Sequence, residues 1–154
     1  MPIKIVSGGQ TGADRAALDW AIDHAVPHGG WCPRGRRAED GPIPARYLLS
    51  ETPSERYEER TEWNVRDSDG TVILTLSDAL TGGSLATAEY AHALAKPCLH
   101  VSRLADGAAA ADALRRFVDA HGIAVLNVAG PRASGEPGVG AFVRPTVDRA
   151  LGTR

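Results

Sequence analysis

Short apolar, β-branched runs alternate along this chain with longer stretches whose apolar residues recur at helical spacing. Ile3 to Val6, Thr71 to Leu76, Cys98 to Val101 and Ile123 to Val128 read as buried strands in the interior of a sheet. Ala13 to about Val26 reads as a helix with Leu18, Ala21, Ile22 and Ala25 on one stripe, ended by Pro27 and Gly29-Gly30. Trp31-Cys32 predicts a short second strand. Thr52-Pro53-Ser54-Glu55 has the form of a helix start, with Thr52 as N-cap, Pro53 in the first turn and Glu55 closing a capping box, for a helix reaching about Arg66. Further helices are predicted over Ser84 to about Ala95, Gly107 to His121 and Val139 to Leu151, with Pro145 in a first turn or at a kink.

Strands alternating with helices predict an α/β domain spanning residues 1–154, with a mainly parallel sheet and helices on both faces. In such sheets ligands lie beyond the carboxyl ends of the strands. Three segments that follow strands should meet there. Two are glycine-rich turns, Ser7-Gly8-Gly9-Gln10-Thr11-Gly12-Ala13-Asp14 and Thr81-Gly82-Gly83-Ser84-Leu85-Ala86-Thr87-Ala88-Glu89, and the third runs from Asn127 to Gly138. Each turn opens an alanine-rich helix, so backbone N–H groups and a positive helix end would face one space, as an anion or phosphate cradle requires. Neither turn is GxGxxG or a Walker A loop, which disfavours ordinary dinucleotide binding and P-loop nucleotide hydrolysis. Packing of helix on sheet is the alternative use of the same glycines.

Side chains add to this set. Thr11, Ser84 and Thr87 offer hydroxyls to a ligand or to their own helices. Asp14 stands in a first helical turn, as a cap or as a ligand group, and Glu89 would lie on a helix surface or act as a base. Arg34, Arg36 and Arg37 form a candidate clamp on phosphate oxygens, with pairing to Glu39 and Asp40 as the alternative. The loop that carries them, Pro33 to Pro44, has too many Gly, Pro and charged residues for regular structure. Arg132 would point across the binding edge. Asn127 suits a purine or pterin ring edge, and Arg60 and Asn64 share a helical face that could contribute. No Ser/His/Asp or Cys/His order supports nucleophilic catalysis.

Composition narrows the field. The 154 residues are 43% hydrophobic, enough for one core. A formal net charge of −2 speaks against generic nucleic-acid binding. Cys32 and Cys98 make no CxxC pair and the five histidines are not clustered, so no metal site is expected. Without a leader or a long apolar stretch, the expectation is a cytoplasmic protein with reduced thiols and no membrane contact.

Gly8-Gly9-Gln10-Thr11-Gly12-Ala13-Asp14-Arg15, the run Gly30 to Gly41, Gly82-Gly83-Ser84 with Thr87, and Asn127-Val128-Ala129-Gly130-Pro131-Arg132 together resemble the molybdenum carrier family, relatives of the molybdenum cofactor carrier proteins. The resemblance covers nearly the whole chain. It implies a Rossmann-like fold, a homo-oligomer (dimer or tetramer), and storage of molybdenum cofactor (molybdopterin), a pterin with an anionic phosphate. The implied site holds Gly8, Gly9, Gln10, Thr11, Gly12, Asp14, Arg34, Arg36, Arg37, Gly82, Gly83, Ser84, Thr87, Asn127, Gly130 and Arg132. A wider group includes phosphoribohydrolases with a Pro-Gly-Gly-x-Gly-Thr-x-x-Glu motif. Here the second turn lacks the leading proline and the third glycine. The expectation is therefore a non-catalytic carrier, with a phosphoribohydrolase or a nucleotide-sensing module as alternatives.

Overall fold

The computed structural model describes residues 3–152, so Met1, Pro2, Thr153 and Arg154 of the expected domain lie outside the described residues. The chain begins with β1 (Lys4–Val6), α1 (Ala13–Asp23), β2 (His28–Gly29) and β3 (Trp31–Cys32). A long excursion carries β4 (Arg37–Ala38), β5 (Gly41–Pro42) and β6 (Ser50–Glu51). Then follow α2 (Tyr57–Arg66), β7 (Gly70–Thr75), α3 (Gly82–Ala93) and β8 (Cys98–Ser102). A 3-10 turn enters α4 (Ala110–His121), and β9 (Val125–Ala129) and α5 (Val139–Leu151) end the fold.

The main sheet has the order β2-β1-β9-β7-β8, and every pair in it is parallel. Counted from β9 as the first strand, the order becomes 3-2-1-4-5, the start of the doubly wound nucleotide-binding order. The last strand–helix unit of this chain therefore stands where the first unit usually stands. Helices α1, α4 and α5 cover one face, where Ile5, Trp20, Val72, Leu74, Leu114, Leu126, Val128 and Val143 form the main core. Helices α2 and α3 pack on each other, and α3 lies on β7 and β8. Beneath them the sheet is more polar, with Thr71, Thr75 and Asn127 buried.

Five expectations need correction. Cys98–Ser102 is a strand of the sheet, but it lies at an edge with Cys98 exposed, because only β7 pairs with it. Trp31–Cys32 is a strand outside the main sheet and pairs with Ser50–Glu51 instead, while His28–Gly29 takes the place beside β1. Helix α2 starts after Arg56 rather than at Thr52, whose hydroxyl donates to the Ser54 carbonyl at 2.9 Å. Pro145 sits in the middle of α5, so the Ala141 carbonyl finds no N–H four residues on. The Gly/Pro-rich excursion also contains regular structure: β4 and β5 form an antiparallel pair, and Ala38, Ile43 and Tyr47 join Leu18 and Cys32 in a second small core.

Candidate functional site

The chain turns outward in opposite directions from β1 to β2 and from β7 to β8, and the carboxyl ends of β1, β9 and β7 stand side by side. A cavity of about 460 Å³ opens at this edge. Its walls bring together Gly8, Gln10 and Asp14 after β1, Gly82, Gly83, Ser84 and Thr87 after β7, and Asn127, Gly130 and Arg132 at the end of β9. Gly9, Thr11, Gly12, Arg34, Arg36 and Arg37 of the expected set do not line it.

The two glycine turns differ in what they leave open. In the second, Thr81 precedes α3 without a side-chain cap, and a Cβ added at Gly82 or Gly83 would meet nothing within 4 Å. The N-terminus of α3 thus presents bare backbone. The first turn is packed and partly self-satisfied. Gln10 N–H donates to Asp14 Oδ2 at 3.2 Å, Thr11 N–H to Gln10 Oε1 at 3.0 Å, and Ala13 N–H to the Pro131 carbonyl at 3.2 Å. Gly12 has φ 82°, and a Cβ there would lie 2.5 Å from the Pro131 oxygen, so this glycine serves the close approach of two loops.

Positive charge enters from α2. Arg60 is buried, and its Nη1 donates to the Gly8 carbonyl at 2.9 Å while Nε donates to Thr61 Oγ1 at 3.1 Å. Its guanidinium lies 5.1 Å from the centroid of the Tyr57 ring, that of Arg132 lies 5.3 Å from the same centroid, and that of Arg37 4.8 Å. Three cations from α2, the β9–α5 loop and β4 thus gather around one aromatic ring. Burial lowers the pKa of Arg60, the nearby Asp14 opposes that shift, and Arg132 adds to it by like-charge repulsion. Two guanidiniums on one cavity wall form a place for an anion.

Glu136 lines the cavity, and so does a second, more deeply buried carboxyl group, that of Asp14. Desolvation raises its pKa to about 6, against the opposing pull of Arg60, the Gln10 N–H, Ser7 and Arg15. Glu89 is exposed on α3 and does not line the cavity.

Arg36 and Arg15 have local work. Arg36, at φ 55°, donates to the carbonyls of Ile43, Leu49, Pro44 and Tyr47 and so staples the loop. Arg34 is exposed. Arg15 holds Asp40 through both guanidinium nitrogens, at 2.5 and 2.8 Å, which raises the arginine's pKa and lowers that of Asp40. Glu39 accepts from the hydroxyls of Thr11 and Ser134, contacts that keep its carboxyl below the usual range and tie the excursion to the β9–α5 loop.

A family model described as the circularly permutated YpsA SLOG family matches residues 5–151. The chain belongs to that family. Its strand order, with the first unit moved to the end, is the arrangement that such a permutation produces. Among solved structures the chain is similar to the crystal structure of a protein described as "Putative molybdenum carrier protein" from Syntrophus aciditrophicus SB. The two share 46% identity over 97% of this chain and 95% of that one, with a TM-score of 0.91. No curated protein matches the chain.

Sequence reasoning undervalued Arg60 and Glu136, which line the cleft of this family member, and Tyr57, whose ring lies against the guanidiniums of Arg60 and Arg132. Arg60 carried only the signal of sharing a helical face with Asn64. Both residues line the cavity, but the Asn64 amide is engaged with the Trp31 backbone, accepting its N–H at 2.8 Å and donating to its carbonyl at 2.9 Å. Tyr57 gave no signal, since its role depends on Arg37 and Arg132, remote in sequence, as well as on Arg60 one turn along α2. Glu136 also escaped notice, although its carboxylate accepts the Leu76 and Ser77 N–H groups at 2.7 and 3.0 Å and joins two cavity loops.

Proposed function

We propose that this chain is a cytoplasmic carrier that holds a phosphorylated pterin or a nucleotide-like anion, with molybdenum cofactor as its cargo. The observation that carries this reading is the uncapped N-terminus of α3, with Gly82 and Gly83 open, in the same cavity wall system as Arg60 and Arg132. Backbone N–H groups and guanidiniums are together a fit for phosphate oxygens. The similarity to a protein described as a molybdenum carrier supports the choice of cargo. Native mass spectrometry of freshly purified protein tests it: a retained mass matching a phosphorylated pterin is expected, and repeated recovery of ligand-free protein from cells that make the cofactor would reject it.

A second reading, a nucleotide phosphoribohydrolase, rests on Asp14 as a cleft carboxyl with its pKa near neutrality. Incubation with nucleoside monophosphates separates the two: multiple turnovers to free base favour the enzyme, and stoichiometric retention favours the carrier. In either case we propose self-association as a dimer or tetramer, which sedimentation at micromolar concentration reads directly.

A further inference from the structure

We infer that the cleft has a fixed polarity: with phosphate at the α3 end, the wall made by the first glycine turn takes a lactam-type ring edge, its N–H on Asp14 and its carbonyl on the Gln10 amide. The inference rests on the phosphate reading above and adds which end of the ligand goes where. In a phosphate cradle the turn's N–H groups point outward to the anion. Here the N–H of Gln10 already serves the Asp14 carboxylate at 3.2 Å, and that of Thr11 serves Gln10 Oε1 at 3.0 Å. The N–H groups of Gln10 and Thr11 are therefore already spent within the first turn, whereas α3 starts without a side-chain cap, which places the phosphate at α3.

Asp14 lines the cavity at 7% exposure. A carboxylate accepts several hydrogen bonds, so this one retains capacity for a ligand N–H. Gln10 supplies the complementary group. Its Oε1 accepts the N–H groups of both Thr11 and Glu39, at 3.0 and 2.9 Å, which fixes the carboxamide's orientation. Its Nε2 is buried and has no partner among the described residues. A buried donor without a partner is costly unless a ligand satisfies it. An acceptor and a donor on residues joined by a hydrogen bond match the adjacent N–H and C=O of a guanine or pterin ring, and a sugar alone lacks that edge.

The test compares wild type with Asp14→Asn, whose amide oxygen still accepts the Gln10 N–H, using inorganic phosphate, ribose 5-phosphate and guanosine 5′-monophosphate in calorimetric titrations. Thermal unfolding confirms that the variant is folded. The expected result is a loss of about tenfold or more for the guanosine ester, with the other two probes unchanged or bound more tightly. Equal changes for all three probes, an equal loss for ribose 5-phosphate, or no loss for the guanosine ester would overturn the inference while leaving the phosphate site standing. Failure of wild type to bind any of the three would overturn the phosphate reading and this inference with it. A co-crystal with the guanosine ester gives an independent readout: its ring N–H on the Asp14 carboxylate supports the assignment, and phosphate against Asp14 refutes it.

Discussion

Arg60 and Gly8 occupy one another's space. Arg60 Nη1 donates to the Gly8 carbonyl at 2.9 Å, and a Cβ added to Gly8 would lie 2.6 Å from that same nitrogen. The glycine is what lets a buried guanidinium reach the turn after β1. Gly8→Ala is expected to displace the guanidinium, lowering stability by about 1–3 kcal/mol and phosphate affinity by about tenfold. Chemical denaturation and phosphate titration of one preparation measure both; an unchanged phosphate affinity would remove Arg60 from the anion site.

Arg36 and Arg132 should separate cleanly. Arg36 donates to four backbone carbonyls of its own loop and does not line the cavity, whereas Arg132 does line it. Arg36→Ala is expected to lower stability by about 1–3 kcal/mol with little direct effect on phosphate affinity. Arg132→Ala should leave stability nearly intact and weaken binding of a phosphorylated ligand by about 1.5–3 kcal/mol, roughly ten- to hundredfold. Thermal melts beside calorimetric titrations of both variants give the comparison.

The two glycine turns predict opposite outcomes for the same substitution. Gly9 has φ 77°, and a Cβ there would lie 2.6 Å from Leu49 Cδ1, so Gly9→Val should destabilise the fold by about 2 kcal/mol or more. A Cβ at Gly83 meets nothing within 4 Å. Gly83→Val should therefore lower stability by under about 1 kcal/mol and abolish most phosphate binding by filling the cradle. Unfolding curves and titrations of the two variants, made in parallel, decide it.

Asp14 links stability to pH with a definite sign. Its native pKa of about 6 lies above the ordinary 3.8, so the native state binds the proton more tightly than the unfolded chain does. Below about pH 4 both states are protonated and the group contributes no difference. Above about pH 6 the native state holds a desolvated carboxylate, and stability is reduced. Asp14→Asn is expected to be more stable than wild type by about 1–3 kcal/mol at pH 8, the gap closing as pH falls from 6 to 4. Urea denaturation across that range checks both magnitude and direction.

Much of this architecture was legible in the sequence because its signals are local. Apolar runs such as Thr71 to Leu76 and the helical stripe of Leu18, Ala21 and Ile22 report burial through periodicity between near neighbours. That loops following parallel strands share one edge is a rule of topology, so the meeting of Gly8, Gly82 and Arg132 on one cavity could be anticipated. Pairing and partners were decided elsewhere. Thr52 looked like a cap, but its hydroxyl turned to the Ser54 carbonyl and the helix began later. Which strand lies at the edge depends on contacts between distant segments, so Cys98–Ser102 could not be distinguished from an interior strand by its own residues. The arginines show the same division. Sequence marks Arg34, Arg36 and Arg37 by their clustering, yet Arg36 is consumed by nearby carbonyls and it is Arg60, bonded to a glycine 52 residues away, that enters the cleft. Local sequence determined the elements, their order and the edge where a ligand would sit. Only tertiary structure decided which charges are buried there, because desolvation and guanidinium partners arise when remote segments exclude water from a common space.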